Sequence, residues 1–412
     1  MNRLRGHPVP AGLGGGGMNG RAGWHRRTGA LPLMYLAGLV ALAFAHPMLP
    51  TWRWLAIHML LLGAATNAIL VWGAHFTVAV LRAPAPTRRT GEAIRLILLN
   101  AGVLAVLAGG AADLPWIGVG GAAAVFAAVA AHLWWLTARL RSALPARFAV
   151  TVHYYVAAAV ALLTGIPAGA WMLVTDDAAR SRLILFHAHV NLLGWIMLTI
   201  LGTILTFWPT VLRTRMAGDA VAAARIALPL AVSGLVLLAV AVLAWWPVVT
   251  AAGLGLIAAA VVRTAIPAVR VGLAKPPESF AAWSIAAGAA WLLAALGLDG
   301  WTLLTSGGPD AAVDRFGIVL LPLLAGAVAQ VLLGSLAYLL PMVLGGGPAV
   351  ARERSAALDR NWAQRVAMAN AALLAFLLPT GPYARIATSL LLLVALCQFL
   401  APAVRVLVQA RR

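Results

Sequence analysis

The sequence predicts an all-α, polytopic membrane protein of about 12 transmembrane helices in three pseudo-symmetric four-helix groups. Three observations carry this: an apolar composition, one-sided placement of basic residues, and an internal repeat. Hydrophobic residues make up 63% of the 412-residue chain and charged residues 10%. An ordinary soluble domain is about half apolar and about a quarter charged. A soluble core cannot absorb this much apolar sequence, whereas a bilayer takes runs of roughly 20 residues as spanning helices.

The apolar runs place spans at about 29–46, 54–81, 95–113, 115–138, 149–174, 184–212, 222–245, 247–269, 280–303, 316–345, 366–380 and 384–407. The seventh and eighth divide at Trp245-Trp246-Pro247, where only a very short turn is available. Residues 1–23 are Gly-rich and polar and are expected to form a disordered cytoplasmic tail, with residues 24–412 a single transmembrane domain. Arg26 and Arg27 before the apolar run to Ala45, with Ala43 and Ala45 as a cleavage motif, resemble a signal peptide. The same segment recurs later in the chain, which favours an uncleaved first helix.

A net charge of +19 would point to nucleic acid in a soluble protein. Here the basic residues lie in short loops, and 25 of the 30 Lys and Arg fall on the N-terminal side of the spans. The other side carries Arg53, Arg180, Arg182, Arg315 and Arg385. This is the positive-inside pattern, so both termini are expected in the cytoplasm of a bacterial-type cell membrane. Nucleic acid is not an expected partner; membrane lipid is.

The chain repeats itself. His58-Met-Leu-Leu-Leu-Gly63 aligns with His189-Val-Asn-Leu-Leu-Gly194 at an offset of 131, as do Phe76 with Phe207 and Val80-Leu81-Arg82 with Val211-Leu212-Arg213. A further offset of 132 carries Gly202 to Gly334 and Pro209 to Pro341. His25, His153 and Trp283 open the first helix of each unit, at offsets of 128 and 130. The units are about 24–147, 148–275 and 276–412. Internal repeats are common in membrane proteins, though transporters are often twofold.

The span centres lack Asp, Glu, Lys and Arg, which argues against a proton pump, an ion-coupled transporter or a charged channel. Histidine is the exception, and all nine histidines precede residue 190. His58, His187 and His189 fall near the outer ends of their spans, and His46 and Met48 in the first outer loop. His75, about 25 Å further along the helix from His58, falls near the inner end with His25, His132 and His153, where a packing role is expected. His187 and His189, two residues apart, point to nearly opposite faces of the sixth span. Imidazole ligates heme iron and copper well, and a low-spin heme takes two axial ligands from different helices. His58 and His189, one repeat apart, are the expected pair. Arg180 and Arg182 lie just outside, where guanidinium could meet heme propionates or simply anchor the interface. The single cysteine, Cys397, permits no intramolecular disulfide and no thiolate cluster.

His187-Ala-His189-Val-Asn-Leu-Leu-Gly194-Trp195, followed by Gly202 and Pro209, resembles the tenth helix of heme–copper oxidase subunit I. The likeness is to its C-family branch, which includes nitric oxide reductases. The resemblance implies twelve helices in three groups of four. It also implies a low-spin heme b held by His189 and His58, and a second heme on His187. The H-x-H pair stands in the sixth span here, and the tenth has no histidine. The copper-site histidines of that family and its acidic proton-channel residues are absent, so oxygen or nitric oxide reduction is not expected of this chain alone. The sequence is also similar to the membrane regions accompanying copper nitrite reductases and multicopper oxidases, which implies a soluble copper or cytochrome redox partner. The expectation is a heme-binding membrane electron-transfer protein, an oxidoreductase component, with copper as a further candidate metal. A cofactor-free transporter and an accessory membrane subunit are the alternatives.

Overall fold

The computed structural model describes residues 15–410 except 85, 87 and 177, with side chains from residue 20 onward except 21. No strand occurs among the described residues. The helices are α1 (Gly15–Ala45), α2 (Trp52–Val80), α3 (Thr90–Ala111), α4 (Pro115–Ser142), α5 (Ala149–Val174) and α6 (Arg180–Val211). They continue as α7 (Ala220–Ala244), α8 (Pro247–Ala274), α9 (Phe280–Thr305), α10 (Pro309–Val343), α11 (Gly347–Asp359), α12 (Trp362–Leu377) and α13 (Pro382–Gln409). The protein is thus a polytopic all-α membrane protein. Residues 1–14 of the expected tail lie outside the described residues, and the chain is helical from Gly15 onward.

Among the described residues eleven helices, α1 to α10 and α13, are long and apolar enough to cross a bilayer. The remaining expected span, 366–380, is α12. Its 16 residues make a helix of about 24 Å, short of a hydrocarbon core of about 30 Å. The polar α11 connects α10 to it. The turn at Trp245 is as expected: Trp245 is left-handed (φ 55°), the Trp246 N–H donates to the Ala241 carbonyl at 2.8 Å, and Pro247 opens α8. Proline suits a first helical position, where its missing N–H costs nothing.

The repeat reappears in the backbone. α2, α6 and α10 each widen into a π-helical stretch, at Met59–Ala65, Val190–Met197 and Pro322–Ala329. Each stretch turns a glycine toward the first helix of its own unit. A methyl group on Gly63 would lie 2.4 Å from the Tyr35 ring, on Gly194 2.4 Å from Ala161, and on Gly326 2.6 Å from Trp291. In the first stretch Leu61 O accepts both the Thr66 N–H and the Thr66 hydroxyl, the latter at 2.9 Å. The last two helices of the first and second units form hairpins around glycine contacts, Gly102 on Gly121 and Gly234 on Gly253. A methyl group on Gly102 or on Gly234 would lie 2.7 Å from the carbonyl oxygen of the facing glycine.

The three π-bearing helices meet at the centre of the molecule, where they line a cavity of about 100 Å³ with Trp72, Phe76, Thr199, Phe207 and Ser335 on its wall. The Trp195 indole N–H donates to the Thr66 hydroxyl at 3.0 Å and ties α6 to α2. Large apolar side chains such as Phe44, Ile97, Trp116 and Ile386 face outward, as lipid-facing surface does.

Buried charge is less scarce than expected. Arg95, Arg365 and Asp299 are 8%, 6% and 1% exposed. Both arginines belong to helix ends rather than loops. Arg95 lies 5.2 Å from the Trp135 ring centre and Arg365 4.1 Å from that of Phe280. The aromatic faces offset part of the desolvation cost.

Candidate functional site

α2 and α6 bring their opposite-side ends together, away from the arginine-rich loops. His58 follows Trp54 by one turn. Its Nδ1 lies 2.8 Å from the Trp54 carbonyl, and the two rings sit 4.2 Å apart. A carbonyl can only accept, so Nδ1 carries the proton and Nε2 keeps its lone pair. On α6, His187 Nδ1 likewise donates to the Gly165 carbonyl of α5 at 2.9 Å. The ring fits because Gly169 has no side chain: a methyl there would stand 2.6 Å from His187 Cε1. The Asn191 amide nitrogen lies 3.2 and 3.3 Å from the two ring nitrogens of His187. Its buried carbonyl oxygen has no hydrogen-bond partner.

The two imidazoles face each other. Their ring centres are 6.3 Å apart and their planes 27° from parallel. The pair brought together is therefore His58 with His187. The expected pairing of His58 with His189 differs from the arrangement found. His189 turns to the other side of α6, is 1% exposed, and places Nε2 2.8 Å from Asp299 Oδ2 on α9. Its Nδ1 is 2.6 Å from the Leu185 carbonyl, so both ring nitrogens are engaged. The cause is helix geometry: residues two apart lie about 200° around the axis, so one faces α2 and α5 while the other faces α9 and α10. Phe316 of α10 closes over His189 with ring centres 5.2 Å apart.

The flanking arginines are occupied by backbone. Arg180 donates to the Met172 and Thr175 carbonyls at 2.9 and 3.0 Å, and Arg182 to the Leu243 carbonyl at 3.3 Å. They satisfy the last carbonyls of α5 and α7, which otherwise have no partner. His46 is exposed, donates to Ala43 O at 2.8 Å and packs on Trp52; Met48 is exposed. On the basic side, His25 is buried against Trp72 and His75, and His132 is buried against Trp135. His153 is exposed.

Asp299, Asn191, Gly165 and Gly169 are additions that the sequence reading misses. Asp299 is detectable as an acid inside an apolar run. Asn191 is one turn from His187 on the same helix, whereas only the packing of α5 on α6 makes Gly165 and Gly169 neighbours of His187.

Among the described residues no group of three or more His, Cys, Asp or Glu could hold a metal ion. A closed tetrahedral zinc-type centre, which needs four protein ligands, is not what these side chains form. Two imidazoles suit a centre whose other ligands come from elsewhere: heme iron, with four porphyrin nitrogens, or copper at low coordination number. In comparisons with known proteins, no family model matches the chain and no curated protein matches it.

Proposed function

We propose that the protein is a redox protein of the cell membrane in which His58 and His187 hold a metal centre, heme b iron or copper. One observation carries this reading: two imidazoles from different helices, each with Nδ1 held by a carbonyl, stand with ring centres 6.3 Å apart. Metal–nitrogen bonds of about 2 Å on both sides of one ion, with about 1 Å from each nitrogen to its ring centre, put the rings about 6 Å apart. The unpartnered Asn191 oxygen beside His187 adds a polar group able to meet a bound species. A carbonyl acceptor on the far ring nitrogen fixes the tautomer and orientation that a ligating imidazole needs. The chemistry such a centre supplies is one-electron exchange. A soluble copper or cytochrome protein on the same face would be the exchange partner.

The positive-inside distribution supports a topology with both termini in the cytoplasm of a bacterial-type membrane and the histidine pair toward the outer face. The test is the purified protein, expressed with ample heme and copper. A reduced-minus-oxidised visible spectrum and metal analysis are recorded together. A low-spin b-type spectrum identifies heme, and stoichiometric copper without heme identifies copper. A protein carrying neither overturns the reading and leaves a transporter or an accessory subunit.

A further inference from the structure

A second cavity lies far from the outer histidines, on the basic side. Its volume is about 480 Å³, and it opens between the end of α6, the α8–α9 loop, the end of α10 and α11. Arg213, Lys275 and Arg352 stand on its wall, and all three are exposed. None of them makes an ion pair among the described residues. Two acids share the wall, Glu278 and Asp359. Asp359 is already committed: its carboxylate accepts the Phe280 N–H at 2.9 Å and closes the start of α9. Ser279 caps the same turn, accepting from Ala282 N at 3.2 Å. Apolar side chains, Leu212, Ala337 and Met342 among them, share the wall with the cations.

Arg213 occupies its place at some conformational expense. It is left-handed (φ 52°) at the end of α6, as its first-unit equivalent Arg82 is (φ 51°), where the third unit has Gly345 (φ 75°). Glycine is the residue that this backbone shape favours.

The geometry points to a binding site for a phosphate-bearing anion. Three unpaired cations around a mouth are the recognition chemistry of phosphate, and guanidinium binds it through paired N–H donors. Apolar wall residues at the end of membrane helices suit a phosphate attached to an apolar body. An anionic phospholipid headgroup and a free phosphorylated small molecule share this chemistry. The site is independent of the metal centre.

The test uses the full-length, delipidated protein in neutral detergent at about 0.15 M salt, where weak surface attraction is largely screened. Phosphatidylglycerol, phosphatidylcholine and inorganic pyrophosphate are titrated separately, with native mass spectrometry and calorimetry as readouts. Binding of phosphatidylglycerol but not phosphatidylcholine identifies a lipid headgroup, and binding of pyrophosphate identifies a soluble phosphate. Either affinity should fall about fivefold for each cation removed in R213Q, K275Q and R352Q. R141Q, an equal charge change at the end of α4, should leave it unaltered. K275Q and R352Q lie in a loop and on a surface helix and keep the test open where R213Q disturbs folding. Failure of all three ligands to bind, or equal losses in R141Q and the pocket variants, overturns the site.

Discussion

His58 and His187 stand with ring centres 6.3 Å apart, while His189, two residues further along the same helix, is held 2.8 Å from Asp299. One turn of α6 therefore serves two environments. Each member of the half-buried pair donates Nδ1 to a carbonyl, with the Asn191 amide 3.3 Å from His187 Nε2, and the buried His189 spends both of its nitrogens on Leu185 and Asp299.

The metal-centre reading makes an ordered set of expectations. His58→Ala and His187→Ala should each remove the cofactor signal or lower metal content to background. His153→Ala, exposed on the basic side, should leave both intact. Gly169→Leu should act like the loss of His187, because its side chain would occupy the space of that ring. Visible spectra and metal analysis of the purified variants check this. Retention of full signal by H187A would sink the assignment.

His189 and Asp299 should behave as a coupled structural pair. Both are buried; Asp299 Oδ2 meets the imidazole, and Oδ1 has no hydrogen-bond partner among the described residues. Removing one member of a buried pair leaves the other unsatisfied and costs about 3–5 kcal/mol. His189→Leu or Asp299→Leu should therefore lower the melting temperature in detergent sharply. The double variant should recover much of the loss, since two apolar groups need no partner. Additive losses in the double-mutant cycle would show that the contact carries no coupling.

The glycine hairpins set a sharper contrast. Gly102→Ala and Gly234→Ala each force a methyl within 2.7 Å of a backbone oxygen on the facing helix. Overpacking of this kind costs about 1–3 kcal/mol. Gly73→Ala has nothing within 4 Å of the new methyl. It should be neutral or stabilising by up to about 1 kcal/mol through helix propensity. Thermal denaturation of the three variants side by side is the measurement, and equal effects would show that the close approach does not constrain the hairpins.

Asp359 should give stability a pH dependence. Burial pushes its carboxyl above the usual carboxylate range, against the opposing pull of the Phe280 N–H, Arg365 and Arg213. The folded protein then holds the proton more tightly than the unfolded chain does. Its contribution is fully present below the ordinary carboxylate pKa of about 4 and is lost as pH rises through the raised value. Melting temperature should fall with pH across that window, and Asp359→Asn should flatten the slope. An unchanged slope in D359N assigns the dependence to another group.

The sequence by itself determined the class, eleven of the twelve expected spans and the repeat. Composition forces the chain into a bilayer, because no soluble core could bury it, and the offsets near 131 recur as three π-helical stretches. Trp245-Trp246-Pro247 marked a helix boundary because proline and a left-handed turn act locally. Local signals also drew attention to the outer histidines. Which of them face one another was decided only in three dimensions. Repeat position made His58 and His189 equivalents, but equivalent positions around a pseudo-threefold axis face equivalent neighbours and need not face each other. His187 meets His58 because α5 offers the Gly165 carbonyl and the bare face of Gly169 on that side of α6. His189 meets Asp299 because α9 packs on the other side. Helix rotation and interhelical packing fix these partners, and neither is written in the spacing of residues along one chain segment.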